Sequence, residues 1–224
     1  MDKLIINGGS KISGSVNVHG SKNSALPIIV SSLLSEKTLK LSNVPNVVDV
    51  LNLIKLLKNY GVKIEHKKNK LKINPSKIKN LSADYDVVRK MRASILILGP
   101  LLSRFGEARI SLPGGCAIGT RPIDIHLAGL SKLGANFEIQ NGFVVGSVKS
   151  QLIGNKIKLP FPSVGATENI LMASVLANGE TKISNAAREP EIEDLSNCLI
   201  KMGAKIEGHG LSLIHIWRCR RYSL

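Results

Sequence analysis

Cysteine is scarce in this sequence. Only Cys116, Cys198 and Cys219 occur in 224 residues. The count is odd and no two are spaced as metal ligands, which argues against a disulfide scaffold and a CxxC-type zinc site. No other metal constellation appears, and no cofactor is expected. Aromatic rings are few as well, with four Phe, three Tyr and one Trp, so stacking platforms for nucleic acid are lacking. No apolar run approaches the roughly 20 residues that span a bilayer, and no membrane partner is expected. The opening MDKLIING lacks the basic-then-apolar layout of a secretory signal, so the expected location is cytoplasmic. Acidic residues number 16 against 31 Lys and Arg, a net charge of +15. Such a surplus suits a polyanion. Many of the lysines, however, fall in one exposed-looking hairpin, HKKNKLKINPSKIK (66–79), and an anionic small-molecule substrate accounts for the sign equally well. A nucleic-acid partner is therefore not expected.

What is present is an ordinary globular composition, 43% apolar, long enough to bury a core. It is also repetitive. Segments 23–65, 92–138 and 165–207 share one plan. Each opens with small residues and an apolar helix-like run. A short strand follows (TLKLSNV, ARISL, TKISNA), then a Pro-containing loop. An amphipathic helix comes next and ends at Gly61, Gly134 or Gly203, and a strand closes each unit (VKIE, ANFE, AKIE). In the second unit Ile123, Leu127, Leu130 and Leu133 share one helix face. The glycines suit C-terminal caps, and Pro122 suits a first helical position. A further strand follows at hairpin distance in two units, KLKINP and GFVVGSV. The predicted class is α/β, with three helix–strand–helix–strand–strand units (about 22–80, 88–148 and 163–210) sharing one core. Residues 1–21 lie outside the repeat and read as two strands around a Gly-rich turn.

Several residues at the helix starts could do chemistry. Cys116 sits in the Gly-rich stretch SLPGGCAIGTRPIDIH (111–126), with Arg121 five residues on at a helix start. A guanidinium and a helix N-terminus both favour the thiolate, which suits a proton donor or nucleophile; an inert loop thiol is the alternative. Lys22 and Asn23, in GSKNSALPII, precede a helix with Pro27 in its first turn. They make a natural phosphate or carboxylate site, or else a solvated lysine beside an Asn cap. Arg92 holds the matching place in the second unit. In the third, Ser163, Val164 and Gly165 offer backbone donors without a charge. Arg188 among Glu189, Glu191, Glu193 and Asp194 reads as a structural ion-pair cluster, and His126 as a structural histidine.

Together the motifs GSKNSALP, YDVVRKMRASILILGPLLSRFG, SLPGGCAIGTRPIDIHLAGLSKLGA, PSVGATENI and NAAREPEIEDL resemble the UDP-N-acetylglucosamine 1-carboxyvinyltransferases, a family of enolpyruvyl transferases. The likeness runs from the start of the chain to about Gly210. It implies two inside-out, barrel-like α/β domains of three units each. It also implies transfer of the enolpyruvyl group of phosphoenolpyruvate to the 3′-hydroxyl of a UDP-sugar, by addition and then elimination of phosphate. On this resemblance Cys116 is the general acid and the thiol attacked by fosfomycin. Lys22 and Asn23 contact phosphoenolpyruvate. Arg92, the run Arg121, Pro122, Ile123, Asp124 and Ile125, and the run Phe161, Pro162, Ser163 and Val164 contact the UDP-sugar. Two alternatives remain: the shikimate-pathway enolpyruvyl transferase, which shares the fold but uses no such cysteine, and a basic nucleic-acid-binding α/β domain.

Two departures from the family pattern stand out. Phe161 takes a place where some members carry lysine. After GAKIEGHG, the pattern of one more hairpin strand and a second domain gives way to LSLIHIWRCRRYSL, with Arg218, Arg220 and Arg221 close together. Residues 211–224 therefore read as a non-native tail. The expectation is a chain missing its second domain, unable to turn over alone, with residues 1–21 left without the domain they pack on in the family.

Overall fold

The structure is a computed structural model that describes residues 3–9, 11–78, 81, 92–111 and 123–217, with backbone alone at 92 and 93. The first unit contains helix α1 (Lys22–Ser31), extended by a 3-10 turn (Ser32–Leu34). It continues with strand β1 (Leu39–Leu41), helix α2 (Val48–Asn59), and strands β2 (Lys63–Lys67) and β3 (Lys70–Asn74). The second contains a 3-10 turn (Arg92–Ile97) leading into α3 (Leu98–Phe105), then β4 (Glu107–Ser111), α4 (Asp124–Lys132), β5 (Ala135–Gln140) and β6 (Phe143–Val148). The third is prefaced by β7 (Lys156–Lys158). It runs through α5 (Val164–Ser174), β8 (Glu180–Ser184), α6 (Pro190–Lys201), β9 (Lys205–Glu207) and β10 (Leu213–Trp217).

Each unit builds the same sheet. The strand orders are β1-β3-β2, β4-β6-β5 and β8-β10-β9, all antiparallel, with β7 added in parallel at the outer edge of β8. The last-made strand always lies in the middle. A hairpin folds back beside the strand that precedes the second helix, and that geometry repeats three times.

The helices divide into two kinds by their sequence. α2 and α6 are amphipathic: Val50, Leu53, Ile54 and Leu57 face inward from one, and Ile192, Leu195 and Leu199 from the other. α1 and α5 are apolar nearly all round and are buried accordingly, and the short α3 is buried from Leu98 to Ser103. They pack against one another's units, α1 on α6 and α5 on both α3 and α4. The core is thus shared between units, because no unit could cover its own apolar helix. Among the described residues, no helix is long and apolar enough to cross a membrane.

The three glycine caps form as the repeat requires. Gly61, Gly134 and Gly203 follow α2, α4 and α6 with φ of +93°, +102° and +108°. In the first and third units the next residue donates back to the carbonyl five earlier, Val62 to Leu57 and Ala204 to Leu199. Only glycine adopts this left-handed geometry without steric cost.

Three local expectations need correction. Residues 3–9 and 11–21 contain no strand among the described residues; Leu4, Ile5, Ile6, Ile12, Val16 and Val18 all stand exposed. A strand pattern needs an unpaired edge to join, and these residues meet none. Next, α1 starts at Lys22 because Ser21, not Asn23, caps it: Ser21 Oγ accepts from the Ser24 N–H at 3.4 Å. Pro27 therefore lies in the second turn, where it cannot donate to the Asn23 carbonyl. Finally, Leu213–Trp217 is a full strand, with Ile214 opposite Ile183 and Ile216 opposite Ile206, both isoleucines fully buried. Its alternating pattern fills the place that the other two units give to β3 and β6.

Candidate functional site

Four helix starts carry the polar groups of interest. At α1, Lys22 Nζ lies 2.9 Å from Asp49 Oδ2, a carboxylate in the first turn of α2 where the helix dipole favours it. Both side chains are about half exposed. Asn23 Nδ2 donates to Glu191 Oε1 at 3.3 Å, tying α1 to the first turn of α6.

At α5, Ser163 is the cap. Its Oγ accepts from the Ala166 N–H at 3.4 Å, and its carbonyl accepts from the Thr167 hydroxyl at 2.7 Å. Ser163 and Val164 are partly buried, while Phe161 and Pro162 are exposed. At α4, Ile123 occupies the cap position, Asp124 opens the first turn, and Ile123 and Ile125 pack against the core. Arg92 opens the 3-10 turn that leads into α3. The Arg92 side chain, Cys116, Arg121 and Pro122 lie outside the described residues.

Arg188 does not form the expected ion-pair cluster. Glu189 accepts the backbone N–H of Arg188 at 2.8 Å, and no ion pair joins that guanidinium to Glu189, Glu191, Glu193 or Asp194. The exposed arginine gains little from any one of them, and Glu191 is engaged by Asn23.

Among the polar side chains buried in α5, Glu168 and Asn169 stand out, and sequence reasoning passed over both. Glu168 is 5% exposed. Burial, then the nearby carboxylates Glu191 and Glu189, push its pKa up to about 8, so it stays protonated near neutrality. Asn169 is fully buried. Its Oδ1 accepts from the Gly99 N–H at 2.7 Å, its Nδ2 donates to the Ile95 carbonyl at 2.9 Å, and Nδ2 also lies 3.2 Å from His126 Nδ1. Burial holds the His126 pKa down to about 4, so the ring is neutral. The available signal was the pair Glu-Asn inside the otherwise apolar run VGATENILMAS. Asp49 was missed too, although an acid in a first helical turn is a recognisable feature.

The starts of α1 and α5 offer different chemistry. Lys22 supplies a cation at a helix start, and the Ser163–Gly165 turn supplies backbone donors beside a neutral imidazole.

Known proteins match this picture. The family model described as EPSP synthase (3-phosphoshikimate 1-carboxyvinyltransferase) matches residues 6–216. Proteins named UDP-N-acetylglucosamine 1-carboxyvinyltransferase are similar at much closer range. The one from Paramagnetospirillum magneticum is 50% identical over 96% of this chain and 52% of its own length. That of Nitratidesulfovibrio vulgaris is 52% identical over 96% and 51%, and that of Acinetobacter baylyi 51% identical over 93% and 50%. The chain thus spans about half the length of the curated relatives it matches. Among solved structures, the enolpyruvyl transferase NikO from Streptomyces tendae superposes with a TM-score of 0.84 at 21% identity, over 97% of this chain and 51% of that one. EPSP synthase from Acinetobacter baumannii gives 0.74 at 22% identity, over 92% and 47%. At those identities the structures speak for the fold alone. The chain belongs to the carboxyvinyl (enolpyruvyl) transferase family that the EPSP synthase model describes.

Proposed function

We propose that this chain is part of a UDP-N-acetylglucosamine 1-carboxyvinyltransferase, which transfers the enolpyruvyl group of phosphoenolpyruvate to the 3′-hydroxyl of the sugar nucleotide in cytoplasmic peptidoglycan precursor synthesis. The observation that carries this reading is sequence identity of 50–52% across at least 93% of the chain to proteins of that name. The family model bears the shikimate enzyme's description, but the fold is common to both activities and the Cys116 loop favours the sugar-nucleotide reading.

In this role Lys22 and Asn23 hold phosphoenolpyruvate. Arg92, the run Arg121 to Ile125, and Phe161 to Val164 hold the UDP-sugar. The sugar hydroxyl gives up its proton to a base and adds to C2 of phosphoenolpyruvate while Cys116 delivers a proton to the methylene carbon. Loss of a proton from the new methyl group then expels phosphate and restores the double bond. Cations at helix starts stabilise the charge on phosphate as it leaves. An exposed phenyl ring at Phe161 offers no charge to the diphosphate, so Ser163 and Val164 bind it through backbone N–H groups.

The remaining length of the relatives supplies the other wall of the site, so the expected readout for these 224 residues is binding and thiol reactivity rather than turnover. Incubation with fosfomycin followed by peptide mass spectrometry tests the reading. A single adduct on Cys116 is expected. Cys198 is the internal control, because burial raises its pKa and keeps the thiol protonated. Labelling of Cys198 or Cys219 with Cys116 untouched would count decisively against the proposed chemistry.

A further inference from the structure

The contacts of Asn169 determine the protonation state of a neighbouring ring. The Gly99 N–H is a donor, so the amide atom facing it at 2.7 Å is the oxygen. The Ile95 carbonyl is an acceptor, so the atom facing it at 2.9 Å is the nitrogen. Two backbone groups thus orient the side-chain amide, and the flipped amide would set donor against donor and acceptor against acceptor. Gly99 permits this approach, since a Cβ there would press on the Asn169 oxygens.

The second proton of Asn169 Nδ2 then points at His126 Nδ1, 3.2 Å away. Nδ1 must accept, and in a neutral imidazole the proton therefore resides on Nε2. The Cε1–Nε2 edge of the ring lies against Gly165: a Cβ built there would stand 3.1 Å from Cε1 and 3.4 Å from Nε2. His126 belongs to the first turn of α4, and Gly165 to the first turn of α5. One ring therefore bridges the two helix starts to which the sugar nucleotide is assigned.

We propose that Asn169 is a positioning residue: by donating to His126 Nδ1 it fixes the imidazole in its Nε2–H form and presents that N–H beside the first turn of α5 as a side-chain donor for an oxygen of the bound sugar nucleotide. The ligand half of this inference rests on the function proposed above; the tautomer half does not. The three bonds of Asn169 link the second unit to the third, so the spacing of Ile123–Ile125 from Ser163–Gly165 depends on them as well.

Two readouts on the full chain test this. Long-range nitrogen–proton NMR reports the His126 tautomer without ligand. Nε2–H is expected in the parent, and Nδ1–H or a protonated ring in Asn169→Asp, which replaces the donor with an acceptor. Titration with UDP-N-acetylglucosamine is then expected to show affinity about tenfold weaker in Asn169→Asp. Should that variant not fold, His126→Phe serves in its place. It fills the same slot and leaves both backbone bonds of Asn169 intact, but it has no ring nitrogen, and a tenfold loss is again expected. An Nδ1–H or charged ring in the parent overturns the proposal before any ligand is added. Full affinity in either folded variant shows that the ring only packs, and overturns it too. A parent with the expected tautomer that binds no sugar nucleotide overturns the functional reading and the donor role together, while the tautomer signal identifies which premise failed.

Discussion

α1 and α5 occupy equivalent places in the first and third units, yet they use polarity in opposite ways. α1 opens with an exposed cation that shares its charge with an exposed carboxylate, Lys22 with Asp49. α5 opens without a charge and carries its polar groups inside: a protonated Glu168 and an Asn169 saturated by two neighbouring helices. The same helix of the repeat is a surface device in one unit and an interior device in the other. Solvent decides how much each is worth. Exposed pairs contribute about 0.2–1 kcal/mol, whereas a buried polar group left without its partner costs about 1–3 kcal/mol.

The largest expected effect falls on α5. Asn169→Ala leaves the Gly99 N–H buried without a partner and takes one donor from the Ile95 carbonyl, and the predicted loss is about 2–4 kcal/mol, read by urea unfolding. A loss below about 1 kcal/mol would erase the contrast between the two helices.

Glu168→Gln should act in the opposite direction. The Glu168 carboxyl titrates near 8 in the folded chain and near 4.5 when unfolded. Between those values the native state holds the extra proton, so stability falls as pH rises through the window. Glutamine has no such proton to lose. The variant is predicted to be more stable than the parent at pH 7 by on the order of 2–3 kcal/mol, with the difference vanishing below about pH 4.5. A pH-independent difference would show that the carboxyl is not held neutral by its surroundings.

His126 gives a slope of opposite sign. Its folded pKa of about 4 lies below the ordinary 6.5. Its contribution is present above 6.5 and is lost as pH falls toward 4, about 2 kcal/mol of it by pH 5. Measured in the Glu168→Gln background, that acid-side loss should be present with His126 and absent in His126→Phe.

The smallest stability change is expected at α1. Lys22→Met should shift unfolding by less than about 1 kcal/mol but weaken phosphoenolpyruvate binding about tenfold, as calorimetry would show. A large stability loss with intact binding would reverse the roles assigned to the two helix starts.

The repeat itself was legible in the sequence because it rests on local rules: helical periodicity, a glycine after each second helix, and hairpin spacing. Strand patterns were less reliable guides. KLIING and LSLIHIW alternate or cluster apolar residues alike, but Ile5 and Ile6 are about 80% exposed whereas Ile214 and Ile216 are fully buried. The difference lies in the edges, since β8 and β9 leave a gap one strand wide and nothing among the described residues offers one to residues 3–21. The interior of α5 was illegible for a related reason. What makes Asn169 tolerable in a core is a carbonyl at Ile95 and an N–H at Gly99, some seventy residues away along the chain. Lys22, Asn23, Ser163 and Val164 were legible as helix-start residues because helix-start signals are local, although Ser21 rather than Asn23 proved to be the cap of α1. Of these, Asn23 gained a partner, Glu191, that no local rule predicts.

Calorimetric titration of the chain with UDP-N-acetylglucosamine, run beside the same titration with shikimate 3-phosphate, separates the two activities. Saturable heat is expected from the sugar nucleotide and none from the shikimate ester. Saturation by the shikimate ester, with the sugar nucleotide silent, would contradict the sugar-nucleotide reading.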